Sequence, residues 1–187
     1  MQLVIEVDPV AIIKKYYAPE SRAYHFLIQH STMVAEKALR ISKRVKDPSP
    51  NLSFILEAAM LHDIGIFLTD EPRIGCYGDE TYICHGYLGR KILEQEGFPQ
   101  HALVCERHVG VGISLREIKG KNLPLPKRDM LPVTIEEQII CFADKFFSKD
   151  TEFLLKEKPL QRIRIGIAAF GEDKLRRFDA WVKIFGD

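Results

Sequence analysis

The sequence predicts an all-α, single-domain helical bundle. Apolar residues recur at intervals of three, four and seven along most of the 187-residue chain, which is the spacing of amphipathic helices. Helix-capping residues precede several of these stretches, and no strong strand signal, internal repeat or low-complexity tract separates them. A chain of this length buries enough apolar surface for one core, so we expect residues 1–187 to form one domain.

The first two helices begin at capping residues. Asp8 followed by Pro9 is a typical start, and the first helix should continue to about residue 17. A second helix is expected over residues 21–45, where the apolar side chains form one stripe that includes His30. Residues 2–7 alternate apolar and polar side chains, which is compatible with a short strand.

Two breaker-rich segments flank a third helix. Residues 47–51 end the second helix, and Asn51 or Ser53 can cap a third that carries His62 near its C-terminal end. Residues 68–79 contain several further breakers and are predicted to form a surface loop.

The later helices follow from capping, proline and glycine signals. Helical spacing places His85 on one helix and His108 at the C-terminal end of the next. Thr134 and Glu137 form a capping box before a helix that carries Asp144. The helices predicted after residue 80 cover residues 81–96, 99–108, 135–149, 159–170 and 172–185.

Composition limits the classes of partner. The chain has 27 basic and 26 acidic residues, so its net charge of +1 creates no field that would gather polymeric nucleic acid. No stretch of eighteen apolar residues and no signal peptide is present, and we therefore expect a cytoplasmic protein without membrane contact. The 4 cysteines form no CxxC pair and are interpreted as reduced thiols.

Metal-ligand residue types recur on the predicted helices. One inward-facing histidine is usually only a hydrogen-bonded core residue, but several buried imidazoles are costly to satisfy separately and inexpensive to satisfy with one cation. A mixture of histidine and aspartate suits iron, manganese, zinc or cobalt. The candidate ligands are His30, His62, Asp63, His85, His108 and Asp144.

The order of these residues resembles that of a known family. His30, then the pair His62-Asp63, then Asp144 is similar to the pattern of the HD-domain superfamily of metal-dependent phosphohydrolases. Residues 62–65 resemble its HDIG subgroup, and the flanking sequences resemble small stand-alone HD proteins. The similarity covers about residues 24–148, which would be the metal-binding core of an HD-type helical bundle, with residues 150–187 as a C-terminal helical extension.

The resemblance implies a site with two divalent metal ions. Iron or manganese is the first expectation, and zinc, cobalt, nickel and magnesium stay open. Asp63 would bridge the ions and act as the catalytic residue, with a metal-bound hydroxide as the nucleophile. By this resemblance one ion would be held by His30, His62, Asp63 and Asp144, and the other by His85 and His108. Lys145 and Arg107, which adjoin two of these ligands, are candidates for binding the substrate phosphate.

The expected activity is hydrolysis of a phosphate ester or anhydride in a nucleotide or another small phosphorylated metabolite. Ile66 and Val109 stand where relatives that cleave cyclic-di-GMP have lysine and a second histidine, and the carboxylate pair of alarmone hydrolases is missing. The ligand pattern is closer to hydrolases of diadenosine tetraphosphate, which is one candidate substrate. Two alternatives stay open: a mixed-valent di-iron oxygenase of the HD fold, and a non-catalytic nucleotide-binding module. A homodimer is also left open.

Overall fold

The computed structural model describes residues 7–148 and 151–186. Over these ranges the chain forms α-helices, short 3-10 turns and one two-stranded hairpin, so the predicted all-α class is confirmed. The strand expected at residues 2–7 lies, apart from Val7, outside the described residues. The α-helices are α1 (Pro9–Tyr16), α2 (Arg22–Ser42), α3 (Leu52–Leu61), α4 (His85–Gln95), α5 (Pro99–Arg107), α6 (Leu115–Gly120), α7 (Ile135–Asp144), α8 (Leu160–Ala168) and α9 (Glu172–Phe185).

Side-chain caps fix where α1, α2, α3 and α7 begin. In each case an oxygen of the capping side chain accepts the backbone N–H three residues further along, which satisfies a donor that the helix itself leaves unpaired. Asp8 caps α1 and Ser21 caps α2 in this way. Asn51, rather than Ser53, caps α3. Thr134 caps α7, as its capping-box pattern predicts.

Two segments differ from the prediction before the fourth helix. The expected loop at 68–79 contains an antiparallel hairpin of β1 (Asp70–Glu71) and β2 (Cys76–Tyr77), which a turn ending at Gly75 connects. Gly75 has a φ of +82°, a conformation that allows the chain to reverse here. The helix expected from residue 81 begins as a 3-10 turn over Tyr82–Cys84 and becomes α4 only at His85.

Two later helices also differ. α6 was not predicted, because its 6 residues are too few to show a helical repeat; Ser114 caps it. The helix predicted over residues 135–149 ends at Asp144, and residue 149 lies outside the described part. Its last carbonyls accept hydrogen bonds from N–H groups three residues further on, including that of Phe147 to Asp144, so the helix ends in a tighter turn. This turn leaves Phe146 and Phe147 buried in the core.

α7 forms the centre of the main hydrophobic core and contacts α2, α3, α5 and α9. Phe142 on α7 is fully buried and packs against two aromatic rings of α9, with ring centroids 5.2 Å from Phe178 and 5.4 Å from Phe185. Burial of each such ring contributes about 1.5–3 kcal/mol. Trp181 of α9 is also buried. These contacts hold α9 against the helix that carries Asp144.

Glycines allow a close approach between α4, α5 and the 3-10 turn at Ile64–Leu68. A Cβ on Gly65 would lie 2.5 Å from the backbone nitrogen of Gly89, and one on Gly86 would lie 2.7 Å from the carbonyl oxygen of Cys105. Ordinary contacts need about 3.5 Å or more. The small residues therefore bring the segments that carry Asp63, His85 and His108 together.

Candidate metal centre

Three of the six candidate ligands lie at helix ends and are oriented in the same way. His62 follows α3, His85 begins α4 and His108 follows α5. The Nδ1 of each donates a hydrogen bond to the backbone carbonyl three residues earlier, and because a carbonyl only accepts, Nδ1 carries the proton and Nε2 faces the other way. The three bonds are His62 to Ala59 (2.6 Å), His85 to Tyr82 (2.5 Å) and His108 to Cys105 (2.7 Å).

The two oxygens of Asp63 face different histidines. Oδ1 lies 3.2 Å from Nε2 of His85 and 3.1 Å from Nε2 of His108. Oδ2 lies 3.6 Å from Nε2 of His30 and 3.7 Å from Nε2 of His62. The carboxylate of Asp63 thus stands between two pairs of imidazoles.

Asp144 completes one of these groups. Its Oδ1 lies 3.0 Å from Nε2 of His30 and 3.6 Å from Nε2 of His62. The imidazole of His30 is supported on its other side by the ring of Phe26, which stacks on it with centroids 5.7 Å apart and an interplanar angle of 6°. The six candidate ligands lie on α2, on α7 and at three helix ends, and they form one cluster in which all but the partly exposed Asp144 are buried.

The donor set fits divalent metal ions. Nitrogen and carboxylate ligands lie about 2.0–2.2 Å from a transition metal, so neighbouring ligands of one ion are about 3.0–3.5 Å apart. The separations in the cluster are close to these values, and Nε2 of His85 and His108 are 3.1 Å apart. Nε2 of His62 and Oδ1 of Asp63 are buried without a hydrogen-bond partner. In two groups of residues the ligand atoms lie close enough together to hold an ion. One group is His30, His62 and Asp144, and the other is His62, Asp63 and His108.

The buried charges shift the pKa values of the cluster. Burial favours the neutral form of Asp63, but the neighbouring His62 and His85 lower its pKa well below the usual range. Burial likewise opposes ionisation of Asp144, whose pKa is nevertheless far below normal because of Lys145 and His30. Burial lowers the pKa of His62, but Asp63 and Asp144 outweigh it and raise that pKa to about 9. In the metal-free protein at neutral pH, both carboxylates are charged and His62 holds a proton that a bound cation would displace.

His108 differs from His62, although the two rings are neighbours. Burial is the main cause that lowers the pKa of His108 to about 4, and the attraction of Asp63 only partly offsets it. At neutral pH this imidazole is therefore uncharged, with Nε2 as a free lone pair for a cation.

The two candidate phosphate-binding residues occupy different surroundings. Lys145 adjoins the cluster, since its Nζ lies 2.7 Å from Oδ2 of Asp144 and 3.4 Å from the carbonyl oxygen of His108. Burial by itself would lower the pKa of Lys145, but the carboxylate of Asp144 outweighs this effect and the pKa is raised, so the ammonium stays charged. Nη1 of Arg107 instead donates to both carboxylate oxygens of Glu137, at 2.8 and 3.0 Å.

The other two histidines of the chain lie outside the cluster. His101 is buried but pairs with Glu57 at 3.1 Å, and His25 is exposed on α2. The cysteines are free thiols, as predicted, and all four are buried: Cys76, Cys84, Cys105 and Cys141.

Sequence reasoning missed the supports of the cluster. Tyr82 supplies the carbonyl that orients His85, and its ring lies 4.5 Å from that imidazole, centroid to centroid. The stacking of Phe26 on His30 was also not predicted. The three orienting carbonyls have no signature in the side chains, because any residue three positions before a histidine can supply one.

Comparison with known proteins agrees with this geometry. The HD domain family model matches residues 27–148, so the chain belongs to the HD-domain family. An uncharacterised protein of Methanocaldococcus jannaschii is 34% identical over 121 residues, which cover 63% of this chain and 64% of that protein. No solved structure matches the chain.

Two other relatives are larger proteins. The tRNA (cytidine(56)-2'-O)-methyltransferase of Thermoplasma volcanium is 32% identical over 136 residues, covering 72% of this chain and 36% of the relative. The enzyme of the same name from Picrophilus torridus is 32% identical over 124 residues, covering 65% of this chain and 33% of the relative. The chain thus spans about a third of the length of these methyltransferases.

Among the described helices of the chain, none has the length and apolar character needed to cross a bilayer.

Proposed function

We propose that this protein is a metal-dependent phosphohydrolase that cleaves a phosphate ester or anhydride of a nucleotide or another small phosphorylated metabolite. The observation that carries the proposal is the position of Asp63. Its two carboxylate oxygens face two separate pairs of histidines, at distances between 3.1 and 3.7 Å. A carboxylate in this position can bridge two cations, and paired cations are a common way to hydrolyse phosphate bonds.

In this proposal the ligands divide between two ions. His30, His62 and Asp144 would hold the first with Oδ2 of Asp63, and His85 and His108 would hold the second with Oδ1. Iron or manganese suits this mixture of imidazole and carboxylate best, with zinc, cobalt, nickel and magnesium as further candidates. When bound, such ions supply Lewis acidity toward a phosphate oxygen and lower the pKa of a water molecule.

The side chains contribute positioning and charge. The three histidines with orienting carbonyls present Nε2 in fixed directions, which limits the reorganisation needed for binding. In this proposal Asp63 is the catalytic residue, because it fixes the spacing of the two ions. The ammonium of Lys145, beside Asp144, provides positive charge for a substrate phosphate. Arg107 is the weaker candidate for this role, because Glu137 already engages it.

A nucleotide is the substrate class that we favour. The net charge of +1 does not favour a polymeric nucleic acid, whereas a small phosphate ester needs only the local charge of the site. Two relatives are named as tRNA methyltransferases, and a related segment within enzymes of RNA modification is consistent with a nucleotide ligand. Diadenosine tetraphosphate is one of the candidate substrates to be assayed first.

We propose further that residues 1–187 act as one domain and that the protein works in the cytoplasm. Light scattering would distinguish a monomer from a homodimer.

The test is metal reconstitution followed by a substrate screen. Protein purified without oxygen would be analysed for metals, loaded with Mn²⁺ or Fe²⁺, and assayed for phosphate release from nucleotides, dinucleoside polyphosphates and sugar phosphates. We expect about two ions per chain and turnover of at least one nucleotide class. Asp63→Asn should abolish turnover. His101→Gln provides a matched control. His101 lies on α5, the helix whose Cys105 carbonyl orients His108, but its imidazole pairs with Glu57 outside the cluster.

The same samples distinguish the alternatives. Consumption of oxygen by the Fe²⁺-loaded protein, with no phosphate release, would favour a mixed-valent di-iron oxygenase, which the same donors could serve. Tight nucleotide binding without either reaction would favour a non-catalytic binding module. Absence of phosphate release from every substrate in the panel would contradict the hydrolase.

A further inference from the structure

Side chains from two helices hold the backbone that follows His108. We call residues 108–112 the His108 turn. Cys141 and Lys145, at the end of α7, donate to the carbonyl oxygen of His108 at 3.3 and 3.4 Å. On the other side, Arg177 of α9 donates to the carbonyl oxygen of Val111 at 2.8 Å. Lys174 of α9 and Arg177 both lie 3.4 Å from the carbonyl oxygen of Gly112.

Lys174 and the helix that carries Arg177 are themselves held in place. Lys174 is buried and forms an ion pair with Glu117 of α6. α9 is fixed against α7 by Phe178 and Phe185, which pack on Phe142. Packing thus holds α9 against α7, and the ion pair with Glu117 holds Lys174 beside the His108 turn.

The His108 turn needs such support because its glycines allow the backbone many conformations. Gly110 and Gly112 have φ values of +63° and +86°, in the left-handed region that glycine adopts most readily. Turns with two glycines lose much conformational freedom when ordered. External donors to the carbonyls offset this cost and fix where His108 lies relative to Asp63.

We infer that Arg177 and Lys174 are positioning residues for the metal ligand His108, and that α9 thereby sets the affinity of the second ion. This inference rests on the proposed dinuclear function. Both residues lie outside residues 27–148, which the family model matches, so this support comes from the C-terminal helices. Partners that orient metal ligands typically change metal affinity about 10- to 100-fold when they are removed.

The experiment titrates metal-free protein with Mn²⁺ by isothermal calorimetry. In the proposed ligand sets the second ion has three protein ligands and the first has four, so the second ion should occupy the weaker site. For Arg177→Met we expect this site to lose at least about tenfold in affinity, while the stronger site changes less than about twofold. Lys174→Met should act in the same direction. Arg177→Lys keeps a cationic donor and should restore most of the affinity. Arg176→Met is the matched control, because Arg176 is on the same helix but pairs with the exposed Glu172.

The outcomes separate this inference from the proposed function. If the wild type binds fewer than two Mn²⁺, the dinuclear proposal itself fails, and this inference fails with it. If the wild type binds two and both methionine variants bind two with unchanged affinities, only the role of α9 is overturned. Thermal unfolding of each variant excludes loss of the fold as the cause. Electron paramagnetic resonance gives an independent readout, because the signal of paired Mn²⁺ should disappear in the methionine variants at Mn²⁺ concentrations at which the wild type shows it.

Discussion

Replacement of Gly65 by alanine tests how closely the site depends on backbone packing. Gly65 lies in the 3-10 turn after Asp63, directly against α4. A Cβ on Gly65 would overlap the carbonyl oxygen of His85 and lie 2.5 Å from the nitrogen of Gly89. Both atoms belong to the backbone, so no side-chain rotation can relieve the clash.

The cost of this substitution follows from the distances. Ordinary contact at about 3.5 Å requires the turn and α4 to separate by about 1 Å. Overpacking of this kind costs about 1–3 kcal/mol, and two backbone contacts place Gly65→Ala at the upper end. For a chain of this size we expect the Tm to fall by about 5–10 °C. Separation of Asp63 from His85 should also lower the affinity for the second ion by about tenfold or more.

The assay combines thermal unfolding with Mn²⁺ titration. Gly166→Ala is the control, because Gly166 lies in the interior of α8 and a Cβ there meets no atom within 4 Å. That variant should be equally stable or gain about 0.5 kcal/mol. A Gly65→Ala protein that unfolds within about 1 °C of the wild type and binds two ions normally would refute the packing argument.

Three further predictions follow from the electrostatics of the site. In metal-free protein the raised pKa of His62, about 9, contributes stability that is complete below its ordinary value of 6.5 and is lost as the pH rises to 9. The lowered pKa of His108, about 4, removes stability as the pH falls from 6.5 to 4. Together the two histidines predict that urea unfolding of the metal-free protein shows maximal stability near pH 6.5. A maximum above pH 8 would contradict this. Lys145→Met should raise KM about tenfold or more when it is assayed at Mn²⁺ concentrations high enough to fill both sites; an unchanged KM would remove Lys145 from the substrate site. Arg107→Met should lower the free energy of unfolding by about 2 kcal/mol, because it leaves the buried Glu137 without its ion pair, whereas a raised KM at unchanged stability would instead support substrate binding by Arg107.

Most of the helices could be predicted because their signals are local. Asp8, Ser21 and Thr134 act within one helical turn, so the cap can be recognised from neighbouring residues alone. The elements that were missed lack such a signal. α6 is too short to show a repeat, and α7 ends early because Phe146 and Phe147 are drawn into the core, which is a contact between distant segments.

The sequence by itself determined the helical class, most helix starts and the residue types able to bind a metal, because periodicity, capping and ligand chemistry are properties of single segments. Only the tertiary structure decided how those segments converge. The facing of Asp63 toward two pairs of histidines depends on glycine contacts such as that of Gly65 with α4. The pairing of Arg107 with Glu137, and the hold of Arg177 on the turn after His108, join residues 30 and 66 positions apart. Such contacts form only when the helices pack, so no local pattern in the chain reveals them.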